Sequence, residues 1–380
     1  MVQSDPQLLE KINSLRLQNH DTTGFRGTDD DVYVIPIVVH IVYHKEEENI
    51  DENRVLTQLN VLNEDYRRLN EDASETPAPF AEAAADCRIQ FCLASIDPEG
   101  DSTTGITRTF TENINFSAGS EIKSSETGGV DNWDPDSYLN TWVCNLPNTI
   151  LGYSSLPGFP ENEDGVVINY RYFGMGAGAI LPYNLGRTCT HEIGHYLGLR
   201  HVWGDDGGSC APNDDGFDDT PSQGSENYGC PAFPLLDSCS PESPGVMFMN
   251  YMDYSDDGCM NMFTNDQVAY MRTTIETVRA SLLLSPAGCN DIVPLPGEIA
   301  ELVVNPNPAD NIFTVTVKNF AGTVMEIQIY DLLGQRILGR QTESSHLVNE
   351  YFELPLLARG SYFVTAFNGT YILAKQFIVY

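Results

Sequence analysis

Residues 191–201 read His-Glu-Ile-Gly-His-Tyr-Leu-Gly-Leu-Arg-His, and this run limits the fold more sharply than any other stretch of the chain. His191 and His195 are four residues apart, so on a helix their imidazoles leave one face toward one point. Glu192, beside the first of them, can reach a water held at that point. Gly198 permits a sharp exit from the helix, including φ > 0, and the returning chain brings His201 in as a third ligand. Three protein ligands leave a fourth position for water, the arrangement of a catalytic zinc; a structural site is normally closed by a fourth side chain. The chain has seven histidines, and five fixed positions of this kind arise by chance on the order of once in 10⁵ chains. His40, on an apolar run, reads instead as a satisfied core histidine. Zinc acidifies its water and polarises a carbonyl, and Glu192 can take the proton and return it to a leaving amine. The expected reaction is amide hydrolysis, although zinc and a base alone also serve other hydrolases.

Composition removes several alternatives. The chain carries 20 Lys and Arg against 54 Asp and Glu, a net charge of −34, so it repels phosphate backbones and anionic membrane surfaces. Nucleic-acid binding is excluded on this ground. No apolar run approaches the ~20 residues of a membrane-spanning helix; the longest, Val32 to Tyr43, is interrupted by Pro36 and His40. The 380 residues predict two or three domains at roughly 100–200 residues each. The acidity is uneven: residues 301–380 hold five cations and seven acids, a balance of −2 that leaves −32 to residues 1–300. Four cysteines, Cys210, Cys230, Cys239 and Cys259, fall in a loop rich in Gly, Pro, Ser and Asp that has little core of its own. Disulfides and an oxidising compartment follow; a second zinc site is the alternative, without any C-x-x-C pair to support it. Four cysteines allow three pairings. Cys87 and Cys92 lie five apart on an expected strand and face opposite sides; they, Cys144, Cys189 and Cys289 stay unassigned. The N-terminus, Met1 to Pro6, has no apolar signal core, so the chain reads either as cytosolic or as numbered after signal removal; the disulfides favour the latter.

Along the chain, residues 1–32 read as a polar leader with a short amphipathic helix, Gln7 to Gln18. Strands are expected at 33–43, 87–96, 106–111, 139–145 and 165–172. Helices are expected at 52–69, with Val55, Leu59, Leu62 and Tyr66 at helical spacing, at 186–199, and at 264–284, the last opened by a Thr264–Gln267 capping box. Residues 286–300 read as a Pro/Gly linker. Seven short alternating runs in 301–380 read as a β-sandwich.

The extended histidine motif resembles that of the metzincin clan, in which a methionine-bearing turn lies beneath the zinc. Asn250-Tyr-Met-Asp-Tyr254, with GRTCTHEIGHYLGLRHVWG and DDTP, resembles the pappalysin family, and within it secreted bacterial proteases of the cytophagalysin type, over about residues 33–285. The resemblance implies an α+β fold: a metzincin-type catalytic domain with a mixed twisted sheet, an active-site helix and a backing helix, then a small all-β, Ig-like sandwich. It implies that Met252 underlies the zinc and that Tyr254 helps stabilise the developing oxyanion. It implies a crossed pairing, Cys210 with Cys239 and Cys230 with Cys259. The acidic run at 214–220 reads alone either as a solvated loop or as a set of hard oxygen ligands; the resemblance points to calcium at Asp215, Asp218, Asp219 and Thr220.

The resemblance also implies protein or peptide substrates, laid antiparallel on an edge strand assigned to Gly165 to Tyr172. Relatives that prefer Lys or Arg after the cut carry an acid just before the cysteine matching Cys259; here Gly258 stands there, with Asp256 and Asp257 nearby. Family pro-segments often present a cysteine to zinc. None occurs before Cys87, so residues 1–32 read as an inert leader or as a latency segment offering Asp21 or Asp29. Residues 301–380, through Asn305-Pro-Asn-Pro308, Ile329-Tyr-Asp-Leu-Leu-Gly334, Gly360-Ser-Tyr-Phe363 and the terminal Lys375 to Tyr380, resemble the sorting domain of type IX secretion. That implies export across the outer membrane of a Gram-negative bacterium, against a purely adhesive sandwich. The expectation is thus a secreted, zinc-dependent, calcium-stabilised metalloendopeptidase with an export domain; the rival is a silent or latent binding protein on the same scaffold, against which the intact Glu192 speaks.

Overall fold

The computed structural model describes residues 31–289, apart from 148, 206 and 212–214, and the strands of the tail with adjoining turns between 301 and 379. The expected helix Gln7–Gln18, the candidate latency carboxylates Asp21 and Asp29, and most of the expected linker lie outside the described residues. Two compact units divide the chain at Val293/Pro294.

In the first unit the strands are β1 (Tyr33–Tyr43), β2 (Ile89–Leu93), β3 (Ile106–Phe110), β4 (Leu139–Cys144), β5 (Gly152–Ser154) and β6 (Val166–Asn169). They form one mixed sheet in the order β2-β1-β4-β6-β5, with β3 on the second half of β1. All pairs are parallel except β5–β6. A parallel strand covered on both faces is apolar nearly throughout, which is why YVIPIVVHIVY runs down the middle. Ile35, Ile37, Val39 and Ile41 face the main core. Val38, Val42 and His40 alternate to the other face, where His40 is fully buried. Its Nδ1 lies 2.8 Å from Thr107 Oγ1 and its Nε2 3.1 Å from Asn140 Oδ1, with Trp133 and Trp142 packed on the ring.

Helix α1 (Glu52–Tyr66) is capped by Asp51, whose carboxylate accepts the Arg54 amide. Its Val55, Leu59, Leu62 and Tyr66 pack on the main face of the sheet, the stripe expected from their spacing. Helix α2 (Arg187–Tyr196) lies in the same core and carries His191 and His195. Helix α3 (Asn265–Thr277) opens with the Thr264–Gln267 capping box. It stops short of the expected 284 because the chain tightens into a 3₁₀ turn, Ala280–Leu284.

One feature differs from the expectation, the placing of the sheet edge, and the disulfides bear out the crossed pairing and add a third bridge. Gly165–Tyr172 is not the edge of the sheet: β6 is flanked by β4 and β5, and the short strand Gly152–Ser154 is the terminal one. Three disulfides are present, Cys210–Cys239 and Cys230–Cys259 in the crossed pattern, and Cys92–Cys289. The last ties Cys289 to β2, and Ala287 O accepts the amides of Ser95 and Ile96. Cys87, Cys144 and Cys189 are buried thiols.

The second unit is all-β: β7 (Glu301–Asn305), β8 (Ile312–Lys318), β9 (Met325–Tyr330), β10 (Arg336–Thr342), β11 (Leu347–Glu353), β12 (Gly360–Phe367) and β13 (Ile372–Val379). They form two antiparallel sheets, β10-β9-β12-β13 and β11-β8-β7. Alternate residues such as Phe313, Val315, Ile327, Ile329, Val364 and Phe377 fill one core, the sandwich expected from period-2 patterning.

Candidate active site

Helix α2 has a glycine, Gly186, at its N-cap and no side-chain cap of its own. The cap comes from afar: Asp257 Oδ2 accepts the amides of Leu185 (2.7 Å) and Arg187 (3.3 Å). Arg187 is buried and donates to both oxygens of Asp72 at 2.6 and 2.7 Å and to Asp257 O at 2.6 Å. Asp65, on α1, accepts from Tyr251 Oη (2.7 Å) and Thr190 Oγ1 (2.8 Å). Buried Asp65, Asp257 and Arg187, with half-buried Asp72, weld α1, the start of α2 and the turn at 250–257 together. They escaped the sequence reading because charged residues on an amphipathic helix read as its solvated face.

The helix ends at Tyr196 and the chain turns at Gly198, with φ +95°. A Cβ on Gly198 would lie 2.8 Å from Tyr270 Cε1, so glycine is required by both conformation and space. The turn returns His201 to the face that carries His191 and His195. Their candidate ligand nitrogens all lie within 4.8 Å of one another.

Each ring is held by its other nitrogen. His191 Nδ1 is 2.7 Å from Tyr251 O, His195 Nδ1 is 2.8 Å from Leu199 O, and His201 Nδ1 is 2.6 Å from Asp205 Oδ1. Those partners only accept, so each Nδ1 carries the proton and each Nε2 presents a lone pair. His195 Nε2 and His201 Nε2 then stand 3.1 Å apart with no proton between them, an arrangement that calls for a cation. Zinc–nitrogen distances of about 2.0–2.1 Å in tetrahedral geometry put two nitrogens roughly 3.3 Å apart, so the residues fit that ion. Burial and the neighbouring histidines push His191 well below the usual imidazole range, and burial with His201 pushes His195 down to about 3. Both are therefore neutral, as ligation needs.

Glu192 lies alongside, buried, and burial pushes its carboxyl up to about 8, which makes its carboxylate a stronger base than a solvated one. A Cβ on Gly152 would lie 3.0 Å from Glu192 Cγ; the glycine lets edge strand β5 pass against this carboxyl. Strand β5 carried no sequence signal beyond three residues, Gly-Tyr-Ser. Met252 is fully buried beneath α2, and a Cβ on Gly194 would fall 2.5 Å from its Sδ. Asn250 Oδ1 accepts the Met252 amide (2.9 Å), and Asn250 Nδ2 donates to Gln267 of α3 (2.8 Å). The Tyr254 ring sits 5.6 Å from His191 and 4.9 Å from His201. Burial raises its pKa above the ordinary phenol, so it keeps its proton. Asp253 accepts from Gln223 and from the amide and side chain of Asn227; with Cys230–Cys259 this fastens the long loop to the turn.

The acidic loop behaves differently. Asp215 is buried, and its carboxylate accepts the Phe217 amide and the Thr220 hydroxyl. Asp219 Oδ2 accepts the Asp266 amide, while Asp219 Oδ1 is buried and finds no hydrogen-bond donor among the described residues. Among the described residues the three histidines are the one His/Cys/Asp/Glu grouping that converges within 4.8 Å, so Asp215, Asp218 and Asp219 do not meet as a cluster.

Residues 124–276 match the peptidase family M43, described as pregnancy-associated plasma protein-A. Residues 303–380 match a secretion system C-terminal sorting domain. An extracellular metalloprotease of Arthroderma benhamiae is 36% identical over 195 residues, covering 48% of this chain and 63% of the fungal protein. This chain thus spans less than two thirds of that relative. Mature mirolysin of Tannerella forsythia, solved with a cleaved peptide, is 48% identical with a TM-score of 0.65, over 67% of this chain and 97% of that one. A promirolysin mutant from the same organism is 45% identical with a TM-score of 0.70, over 74% and 93%. With three convergent histidines, a buried glutamate and a methionine turn beneath them, the chain belongs to the pappalysin (M43) family of metallopeptidases.

Proposed function

We propose that this chain is a secreted zinc metalloendopeptidase that cuts internal bonds of extended protein or peptide substrates. The observation that carries the reading is the proton arrangement of the histidines: three Nδ1 atoms tied outward to acceptors, three Nε2 atoms turned to one point. His191, His195 and His201 would hold the zinc, which supplies a Lewis acid that acidifies water and polarises the scissile carbonyl. Glu192 accepts a proton from the attacking water as the new C–O bond forms. It returns that proton to the amide nitrogen as the C–N bond breaks. Tyr254, protonated and beside the histidines, donates to the oxygen on which negative charge develops.

Substrate orientation comes from β5. It is the terminal strand of its sheet and runs against Glu192, so a peptide pairing with its outer edge lies across the base. The cleaved peptide bound by the mirolysin neighbour supports this class of substrate. We further propose a calcium ion in the 215–220 turn, with Asp219 Oδ1 as its first ligand; Asp215 and Asp218, which do not converge with it in this structure, would draw in around the ion together with Thr220. The tail at 303–380 would route the chain through the type IX machinery of a Gram-negative bacterium.

The test is incubation of the purified chain with a denatured protein, with and without a chelator, followed by zinc restoration and mapping of cut sites by mass spectrometry. Internal cleavage abolished by chelation and restored by zinc is expected. Cleavage indifferent to chelator would refute the proposal.

A further inference from the structure

We infer that Trp203 and Asp205 are positioning residues for His201, and that Trp203 couples the orientation of that ring to Tyr254. This rests on the zinc reading above. His191 and His195 are set by helix α2 and by backbone carbonyls. His201 has no such frame: it follows the Gly198 turn, beyond the last helical residue, Tyr196. Its ring must be fixed by side chains, and two supply the restraint.

Asp205 Oδ1 takes the Nδ1 proton at 2.6 Å. It does so from a backbone φ of +58°, a conformation that few residues other than glycine adopt and that Asp tolerates better than most. Trp203 stacks on the imidazole at a centroid distance of 4.2 Å and an interplanar angle of 5°. Trp203 is 8% exposed and belongs to the main core, so it is itself held by packing. The edge contact between Trp203 and Tyr254 is 4.9 Å at 74°, and that between His201 and Tyr254 is 4.9 Å at 77°. Three rings therefore close a triangle, and contacts with both Trp203 and Tyr254 oppose rotation of His201. The stack also has an electronic sense. An imidazole that donates to a dication becomes electron-poor, and an indole face attracts such a ring. The arrangement thus favours the ligated state and holds Tyr254 at a set distance from it.

The experiment uses the full chain with Trp203→Leu, Trp203→Phe and Asp205→Asn. Zinc affinity is read by chelator competition, and the site geometry by the visible spectrum after cobalt(II) substitution. Losing the stack is expected to weaken zinc about 10-fold, shift the cobalt bands and lower kcat with little change in KM. The Phe variant, which keeps an aromatic face, is expected to restore most of the affinity. The Asn variant, which keeps an acceptor but not the charge, is expected to fall between. Wild-type zinc affinity and cobalt spectrum in Trp203→Leu, whatever its Tm, would reduce Trp203 to packing and overturn the inference. Should Trp203→Leu fail to fold, Trp203→Met, which also lacks an aromatic face, takes its place: wild-type zinc affinity and cobalt spectrum there, with wild-type zinc affinity in Asp205→Asn, would overturn it equally. Absence of zinc binding in the wild type would instead overturn the zinc reading itself.

Discussion

Gly194 sits in the middle of the zinc-binding helix, where glycine costs about 1 kcal/mol relative to alanine. By propensity alone, Gly194→Ala stabilises the protein. The packing says otherwise, since the new methyl would lie 2.5 Å from Met252 Sδ and 3.4 Å from its Cε. Met252 is fully buried and has little room to retreat, so overpacking of about 1–3 kcal/mol is expected. The net effect of Gly194→Ala is then a loss of about 0–2 kcal/mol. Met252→Ala removes the obstacle at its own cost of about 2–5 kcal/mol. In that background Gly194→Ala is expected to change sign and stabilise by about 0.5–1 kcal/mol. Urea unfolding followed by tryptophan fluorescence is the assay, because Trp133, Trp142 and Trp203, the chain's three tryptophans, all belong to the first unit. A chelator keeps metal linkage out of the comparison. The single variant should also lose activity when zinc is restored, since a displaced Met252 disturbs the neighbouring Tyr251 carbonyl that holds His191. Equal stabilisation by Gly194→Ala in both backgrounds, within about 0.5 kcal/mol, would refute this contact between helix and turn.

Three further outcomes follow. Burial pushes His40 from 6.5 down to about 4. The neutral form favours the fold, so its contribution is whole above pH 6.5 and declines as pH falls toward 4. Urea midpoints at pH 7.5 and 4.5 should show about 2–3 kcal/mol more acid loss in the wild type than in His40→Gln; equal losses would exclude burial of a neutral ring. Cys92–Cys289 joins residues 197 apart, and a loop of that length corresponds to about 5 kcal/mol in the chain-entropy description. Replacing both cysteines by alanine should cost several kcal/mol, measured by the same unfolding curve, while no change would show that the bridge does not constrain the unfolded chain. Calcium added to metal-stripped protein should raise Tm if the 215–220 turn binds it, with Asp219→Asn abolishing the rise; a rise untouched by that variant would place calcium elsewhere.

What the sequence revealed follows from how local each determinant is. The histidine helix and its glycine turn were legible because ligand spacing, helix period and a φ > 0 position all lie within eleven consecutive residues, His191 to His201. The sandwich was legible from alternation alone. The crossed disulfides needed a resemblance, since spacing leaves three pairings open. Cys92–Cys289 was not legible at all: its halves are distant, and Cys289 lies in a stretch that reads as linker. Strand β5 was missed because Gly152-Tyr-Ser154 is too short to show a period, so the edge was assigned to β6 instead. Asp65, Arg187 and Asp257 were missed for another reason. Their identity as buried supports is set by tertiary contacts across α1, α2 and the methionine turn, and isolated charges in a chain of −34 carry no such mark.

The most direct test of the central claim is hydrolysis and zinc content measured together on the wild type and on Glu192→Gln. The account predicts one zinc per chain in both, because Glu192 is not a ligand. It also predicts loss of hydrolysis by about 10²–10⁴-fold in the variant, because the side chain that moves the proton is gone. Undiminished hydrolysis by zinc-loaded Glu192→Gln, or a wild type that hydrolyses peptides without binding zinc, would contradict it.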